Sequence, residues 1–464
     1  MAISDSFEAA LMKALRSLEQ HVDALDSYDF GSLPADDLIK LMERANDRRI
    51  WAVAEAIRRG SRISGLFEIT GIDPWFLERI GKLVSMETAL KELKGRDPGR
   101  ELLLLSKQMG YPDTVIARLS GLLPGAVEEL RKKYGIKAVF RLVDTCAAEF
   151  DAQTPYFYAG LPGDECEART FPRSGKPVIL VLGSGPIRIG QGIEFDYSSV
   201  HCVWTLREMG YDVVMVNNNP ETVSTDYDTA DRLYFEPLTP QDVWGVIQVE
   251  HPVGVVVAFG GQTAISLTAF LAQKGIPILG TSADGIDLAE DRARFDALLE
   301  RFGIRRPRGY GVNSLEEALH AADELGYPVL LRPSYVIGGQ NMCISRNRET
   351  TERYMRNILS GGIENPVLVD QYLPGIELEV DVISDGTDVL IPGIMEHIER
   401  TGVHSGDSIA VCPPVHIDDD MRRKILTDTK QICLGLHAVG LVNLQYIVRG
   451  QNLYVIEVNP RASR

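Results

Sequence analysis

Apolar residues recur at helical spacing from the start of the chain: Phe7, Ala10, Leu11, Ala14, Leu15 and Leu18 share one face. Asp73 before Pro74 reads as an N-cap followed by a first helical residue, and Phe76, Ile80, Leu83 and Val84 carry the stripe onward. The pattern predicts further helices over 100–108, 112–119 and 124–134, the last two separated by a loop around Gly121. No strand pattern interrupts the first 150 residues, which are expected to form an all-helical packing module without a chemical constellation. Residues 151–177 combine several Pro and Gly with little periodicity and are expected to be an ordered linker.

The alternation then changes. PVILVLGSG predicts a buried strand entering a glycine turn, SSVHCVWTLREMG a helix, and YDVVMVNNN a second strand. VGVVVAFGG, TAISLTAFLAQKG and IPILG repeat the strand–helix–strand order, which implies a parallel sheet covered by helices. From about Asp284 the pattern becomes α+β, with a helix over 291–302, a strand in YPVLLRPS, a turn at Gly338–Gly339 and several later strands.

At 464 residues the chain has room for about three domains. Its charge of −17 opposes non-specific attraction to nucleic acid or anionic membrane, though not a phosphorylated small molecule in a locally basic pocket. No apolar run is long enough to span a bilayer. The six cysteines are scattered without a Cys-x-x-Cys pair, which favours reduced thiols and a cytosolic location over disulfides or structural zinc.

Four stretches carry chemistry. Gly183-Ser184-Gly185-Pro186-Ile187-Arg188-Ile189-Gly190-Gln191-Gly192 follows a strand and can cradle an anion or serve as a tight turn. A dinucleotide fingerprint would need Gly where Arg188 stands and an acid where Asn217-Asn218-Asn219 stands, which opposes an NAD-dependent oxidoreductase. Asn217 to Asp226 can be a ligand edge of a parallel sheet or a self-capped loop. Arg332, six residues before Gly338–Gly339, can hold phosphate under a glycine loop. The fourth stretch is the most specific. Period two puts Glu457 and Asn459 on one face of a strand, with Arg461 next in the series. Across a hairpin from Gln445 they would offer oxygen donors only, as magnesium bridging nucleotide phosphates requires. Glu377, Glu379 and Asp381 also share a strand face, a pattern usually solvated. Arg292 opens a helix, where a simple ion pair is the ordinary account, and His404 is a lone loop histidine.

Together GSGPIRIGQGIEFDYSSVH, NNNPETVSTDYDTADRLYFEPLT, FGGQT, EDRARF, RPSYVIGG, GIMEHIERTGVHSGDS and VIEVNPRAS resemble, in order, the carboxyl-terminal synthetase half of the carbamoyl phosphate synthetase large chain. RLVDTCAAEF and the helices before it resemble that family's oligomerisation domain. The resemblance implies a multidomain fold: an all-α helical domain, an α/β Rossmann-like pre-ATP-grasp domain, and an α+β ATP-grasp domain truncated at its C-terminal end. Its boundaries would be 1–24 for the end of a preceding synthetase half, 25–150 for oligomerisation, 151–177 for the linker, 178–284 for the pre-ATP-grasp domain and 285–464 for the ATP-grasp domain.

The implied reaction is phosphorylation of carbamate by ATP to carbamoyl phosphate and ADP, serving arginine and pyrimidine biosynthesis. Arg292 and Arg332 would contact phosphates, under a lid at Gly338 and Gly339. Gln371 and Leu373 would meet the adenine, Glu377 the ribose, and Gly402, Val403, His404 and Ser405 the nucleotide. Gln445, Glu457 and Asn459 would hold magnesium or manganese, with potassium as a further cofactor, Gln445 and Glu457 also facing ATP. Arg461 and Arg332 would serve the transferred phosphoryl group. Implied partners are a small glutaminase chain, an amino-terminal synthetase half and a second copy of the helical domain. Gln340 stands where the family pattern carries arginine, and Gln371 where a histidine can occur. The chain is expected to be a fragment or one piece of a split enzyme, and an inactive fragment that retains nucleotide binding or subunit association is the competing reading.

Overall fold

Side-chain caps set many of the helix starts. Ser6 accepts from Ala9 N ahead of the helix Phe7–Ser17, and Asp73 accepts from Trp75 N ahead of Pro74–Lys91. The computed structural model describes residues 1–20, 22–188, 191–333, 342–360, 367–399, 401–402 and 408–463. The chain divides into two compact units, Met1–Val181 with Val203–Val253, and Leu182–Cys202 with Gly254–Arg464.

In the first unit, the expected helices form over Gly99–Gln108, Asp113–Ser120 and Ala126–Tyr134. They join Ala35–Glu43, Arg49–Arg58 and Ile63–Thr70 around a core that includes Met12, Leu25, Leu66, Leu77 and Leu103. Five strands follow: β1 (Phe140–Leu142), β2 (Tyr156–Ala159), β3 (Val178–Leu182), β4 (Asp212–Val216) and β5 (Arg232–Tyr234), in the order β1-β2-β5-β4-β3. The pairs β2–β5 and β4–β5 are parallel and β1–β2 is antiparallel. Two expectations need correction here. The first 150 residues are not all helical, because β1 lies within them. The stretch 151–177 is more than a linker, because it holds β2 and the short helix Glu167–Thr170. Strands of three and four residues are too short for periodicity to declare. Arg232 fastens this stretch by donating to the carbonyls of Ala168, Phe171 and Pro172.

In the second unit β6 (Gly254–Val256) and β7 (Ile278–Leu279) pair in parallel, as the strand–helix–strand pattern predicts. The helix expected between them is broken into Gly261–Ile265 and Thr268–Gln273. Ser266 Oγ donates to Thr263 O (2.7 Å) and Thr268 Oγ1 to Ile265 O (2.5 Å), local bonds that compete with a continuous helix. Beyond lie two antiparallel sheets. The first is built from β8 (Gly309–Val312), β9 (Val329–Pro333), β10 (Cys343–Ser345) and β11 (Val367–Gln371), in the order β10-β9-β11-β8. The second contains β12 (Ile376–Asp385), β13 (Val389–His397), β14 (Ala410–Val411), β15 (Val439–Arg449) and β16 (Asn452–Asn459), in the order β14-β13-β12-β15-β16. One face of this five-stranded sheet presents Leu378, Val380, Val442, Leu444 and Tyr446 to a core completed by the helix Asp419–Gly435. Its other face is therefore free for polar side chains.

Candidate active site

Strand alternation puts two polar rows side by side on that second face. Glu379 pairs with Gln445 and Gln445 with Glu457, while Asp381 pairs with Asn443 and Asn443 with Asn459. A bulge after Gln445 gives β16 one extra residue, yet keeps Glu457 and Asn459 in register with the two amides of β15. Asn459 Nδ2 donates to Glu457 Oε1 (2.9 Å), and Arg461 Nη2 donates to Asn459 Oδ1 (3.3 Å). Arg461 also lies over the Phe195 ring, 5.3 Å from its centre. Burial lowers its pKa from the ordinary arginine value, against the opposing pull of Glu457, Glu290, Glu194 and Glu379.

Glu379 overturns the expectation of a solvated charge row, for it is fully buried. Asn443 Nδ2 donates to Glu379 Oε1 and to Asp381 Oδ1, both at 2.8 Å, and Ser463 Oγ donates to Glu379 Oε1 (3.1 Å). His397 approaches from β13, its Nε2 3.3 Å from Glu379 Oε2 and its Nδ1 3.6 Å from Glu377 Oε2. The neighbouring carboxylates of Glu377 and Glu379 raise the His397 pKa to about 9. Glu377 Oε1 in turn accepts from Gly402 N (3.1 Å), which brings the Glu377 and Gly402 stretches together.

The second cluster is cationic. Arg292, first residue of the helix Arg292–Phe302, donates through Nη2 to Asp370 Oδ1 (2.6 Å). Arg332 on β9 donates through Nε to Asp370 Oδ2 (3.3 Å). Asp370 on β11 therefore bridges the two arginines singled out from sequence, and Nη1 of Arg292 is buried without a partner. Gly309 lies opposite Asp370 in register, and a Cβ there would strike the Asp370 carboxylate and the Arg292 guanidinium. Arg306 stands close enough for its pKa to be lowered, first by burial and then by the charge of Arg292. Gln371 closes β11 and Leu373 is buried two residues later. Gly338, Gly339, Gln340, Val403, His404 and Ser405 lie outside the described residues.

Several of these groups escaped the sequence reading. Asn443 had a signal, since period two places it beside Gln445. Asp370 had a weaker one, a lone acid in the apolar run VLVDQ. Gly309, Arg306 and His397 had none, because only the fold sets them against their partners.

The glycine-rich turn is occupied with its own geometry. Gln191 Nε2 donates to Ser184 O and to Thr263 Oγ1 (2.8 Å), and Arg188 Nη2 donates to Thr263 Oγ1 (3.2 Å). Gly260 is required there because a Cβ would come within 2.6 Å of the carbonyls of Leu182 and Gly183. The asparagine run is a self-capped loop: Asn217 Oδ1 accepts from Asn218 N (2.9 Å) and Asn219 Oδ1 from Glu221 N (3.0 Å).

The Gln445–Glu457–Asn459 set supplies one carboxylate and two carboxamide oxygens, which suits a hard divalent cation. Among the described residues, no group of three or more His, Cys, Asp or Glu could hold a metal. None of the six cysteines is in a disulfide, and no described helix is long and apolar enough to cross a membrane.

Three family descriptions match in succession. Residues 1–135 match the carbamoyl-phosphate synthetase large chain oligomerisation domain, 175–288 the carbamoyl phosphate synthase preATP-grasp domain, and 291–464 the carbamoyl-phosphate synthase L chain ATP binding domain. All of the chain aligns with carbamoyl phosphate synthase large chains from Agathobacter rectalis, at 52% identity, and Lachnoclostridium phytofermentans, at 51%. It spans 43% of the length of each. Among solved structures, the biotin carboxylase domain of Hydrogenobacter thermophilus 2-oxoglutarate carboxylase aligns with 63% of this chain and 65% of its own, with TM-score 0.50 and 22% identity. Rhizobium etli pyruvate carboxylase aligns with 62% of this chain and 26% of its own, with TM-score 0.50 and 17% identity. These likenesses concern the fold: an ATP-grasp type with helical and α/β parts.

Proposed function

The chain belongs to the carbamoyl phosphate synthetase large-chain family, and from that premise we propose that its ATP-grasp region transfers the γ-phosphoryl group of ATP to carbamate, giving carbamoyl phosphate and ADP. The observation that carries this reading is the polar row Gln445–Glu457 and Asn443–Asn459, with Arg461 at its end. Gln445, Glu457 and Asn459 would hold magnesium or manganese, and a bound divalent ion supplies charge neutralisation between phosphate oxygens.

The chain's own residues do the rest. Arg292 and Arg332 bind phosphate oxygens in exchange for the Asp370 carboxylate, which meanwhile holds both guanidinium groups in position. Arg461 and Arg332 stabilise charge on the phosphoryl group as it moves. Glu377 orients the ribose, Gln371 and Leu373 border the adenine, and Gly402 with Val403, His404 and Ser405 borders the nucleotide. Gly338 and Gly339 belong to the lid over the phosphates. Potassium, a small glutaminase chain and an amino-terminal synthetase half complete the proposed system. We also propose helical association through residues 25–150, a pre-ATP-grasp domain over 178–284 and an ATP-grasp domain from 285 onward.

ATP formation from ADP and carbamoyl phosphate tests the reading without glutamine or ammonia. Glu457→Gln keeps the shape of the side chain and removes the only formal charge among the three donors. It should lower turnover by roughly 10²-fold or more while nucleotide affinity changes less, because neutralisation matters most in the transition state. Arg461→Met should act in the same direction. Undiminished turnover with Glu457→Gln would remove the metal assignment.

A further inference from the structure

A cavity of about 100 Å³ lies within the first unit, remote in sequence from the phosphate-handling strands. Lys13, Arg16, Lys107, Arg131, Glu236 and Asp242 line it. The side chains of Lys13, Lys107 and Glu236 are only 4%, 8% and 1% exposed.

A donor and acceptor inventory of this lining does not close. Lys13 Nζ donates to Ile3 O and Glu236 Oε1, both at 2.7 Å, which uses two of its three N–H groups. Lys107 Nζ donates to Tyr111 O (2.6 Å) and Asp113 Oδ1 (2.8 Å), again two of three. Arg131 reaches Asp113 Oδ2 through Nε and Nη2, both at 2.8 Å, leaving Nη1 unspent. Arg16 is engaged by Asp242, Met12 O and Gly110 O. Besides the exposed Lys137, four cations thus face three carboxylates, counting Asp113. Burial pushes the Lys107 ammonium below its ordinary pKa, and the charges of Arg131 and Arg16 push the same way against Asp113. One acceptor is also stranded: Glu236 Oε1 is engaged by Lys13 and Ala159 N, but Oε2 is buried with no partner. A buried carboxylate oxygen left unpaired bears its full desolvation penalty.

An occupant that closes this inventory must accept from several N–H groups, carry negative charge and donate one hydrogen bond. Water satisfies Glu236 but not the excess positive charge. A fully deprotonated anion such as sulfate satisfies the cations and sets its lone pairs against Glu236 Oε2. We propose that this cavity binds a small oxyanion that carries its own hydroxyl, the chemistry shared by hydrogen phosphate and bicarbonate.

Calorimetric titration of the full chain near neutral pH, at matched ionic strength, tests this with inorganic phosphate, sulfate and bicarbonate in turn. The expected result is saturable phosphate binding at least about tenfold tighter than sulfate. Tighter binding of bicarbonate than phosphate would identify the trigonal ion as the better occupant of the same site. Glu236→Gln offers an amide N–H in place of the stranded oxygen and should reverse the phosphate–sulfate order. Lys107→Met should weaken phosphate by about tenfold, a second variant in case loss of the Lys13–Glu236 pair unfolds the first. Arg332→Met, in the other unit, should leave both the affinity and the preference in place. Absence of saturable binding, equal affinity for phosphate and sulfate, or dependence on Arg332 rather than Lys107 would overturn the proposal.

Discussion

If Arg292 and Arg332 bind phosphate as proposed, Asp370 is the group a nucleotide phosphate would compete with, because it engages Arg292 Nη2 and Arg332 Nε. That arrangement depends on Gly309, whose missing side chain leaves room for the carboxylate. Gly309→Ala should displace the ends of Asp370 and Arg292, which can swing aside, so the stability cost should be near ~1 kcal/mol, at the low end for overpacking. Nucleotide affinity should fall further than that, since the arginines lose their common anchor. Denaturant titration beside ADP calorimetry compares the two effects, and an unchanged ADP affinity would argue against a pre-positioning role. His397 provides a pH signature. Its pKa is raised from 6.5 to about 9 by Glu377 and Glu379, so its stabilising contribution is complete below pH 6.5 and is lost as pH rises through about 9. Stability measured by denaturant titration should decline over that window, and His397→Asn should flatten the decline. At this scale sequence spacing reached the residues on one strand, such as Glu457 and Asn459. It missed His397 and Gly309, whose roles exist only through partners on other strands.

Sheet geometry turns those single residues into a working surface. Period two orders Glu377, Glu379 and Asp381 on β12, and the antiparallel register then sets Gln445 and Asn443 beside them. Parity is a property of the strand itself, which is why Gln445, Glu457 and Asn459 fall on one face across the hairpin. The same parity could not say which face would be covered, and so it left Glu379 among solvated acids. Asn443 is the joint between β12 and β15, through its two bonds at 2.8 Å. Asn443→Ala would leave Glu379 buried with Ser463 and His397 among its remaining polar neighbours. A stability loss of roughly 1–3 kcal/mol is expected, the range for depriving a buried group of its donor. A loss within experimental error would mean that the other partners of that carboxylate satisfy it without Asn443. A cap made one helix legible, at Asp73, whereas Asp291, expected inside its helix, caps it instead. The strands β1 and β2 were not legible, because three or four residues pair only with what the rest of the chain supplies.

For the molecule as a whole, the first unit limits how its association can be tested. Lys13 reaches Glu236 and Arg16 reaches Asp242, so the helix Phe7–Ser17 is tied to residues more than two hundred positions away. Strand β2, which follows the helices, pairs in parallel with β5. A piece ending near residue 150 would strand these charges and strip β1 of its partner, and aggregation of such a piece would say little about native association. The full chain is the proper specimen. Residues 1–135 match an oligomerisation domain, and this region leaves Phe67, Trp75, Phe76, Leu105 and Leu123 substantially exposed. Such apolar side chains on a charged surface are what a second copy would cover. Sedimentation of the full chain should therefore show a concentration-dependent dimer or larger species. Trp75→Glu is the sharper probe. Trp75 lies in the first turn of Pro74–Lys91, where an acidic side chain suits the helix dipole, so the helix should survive while its apolar surface is lost. Trp75 also packs on Phe7 and Phe76, with ring centres 5.5 and 5.0 Å away, so a modest stability loss should accompany the change. A shift to monomer with retained helical content would place association on this aromatic face, whereas an unchanged sedimentation profile would move it elsewhere in the helical region.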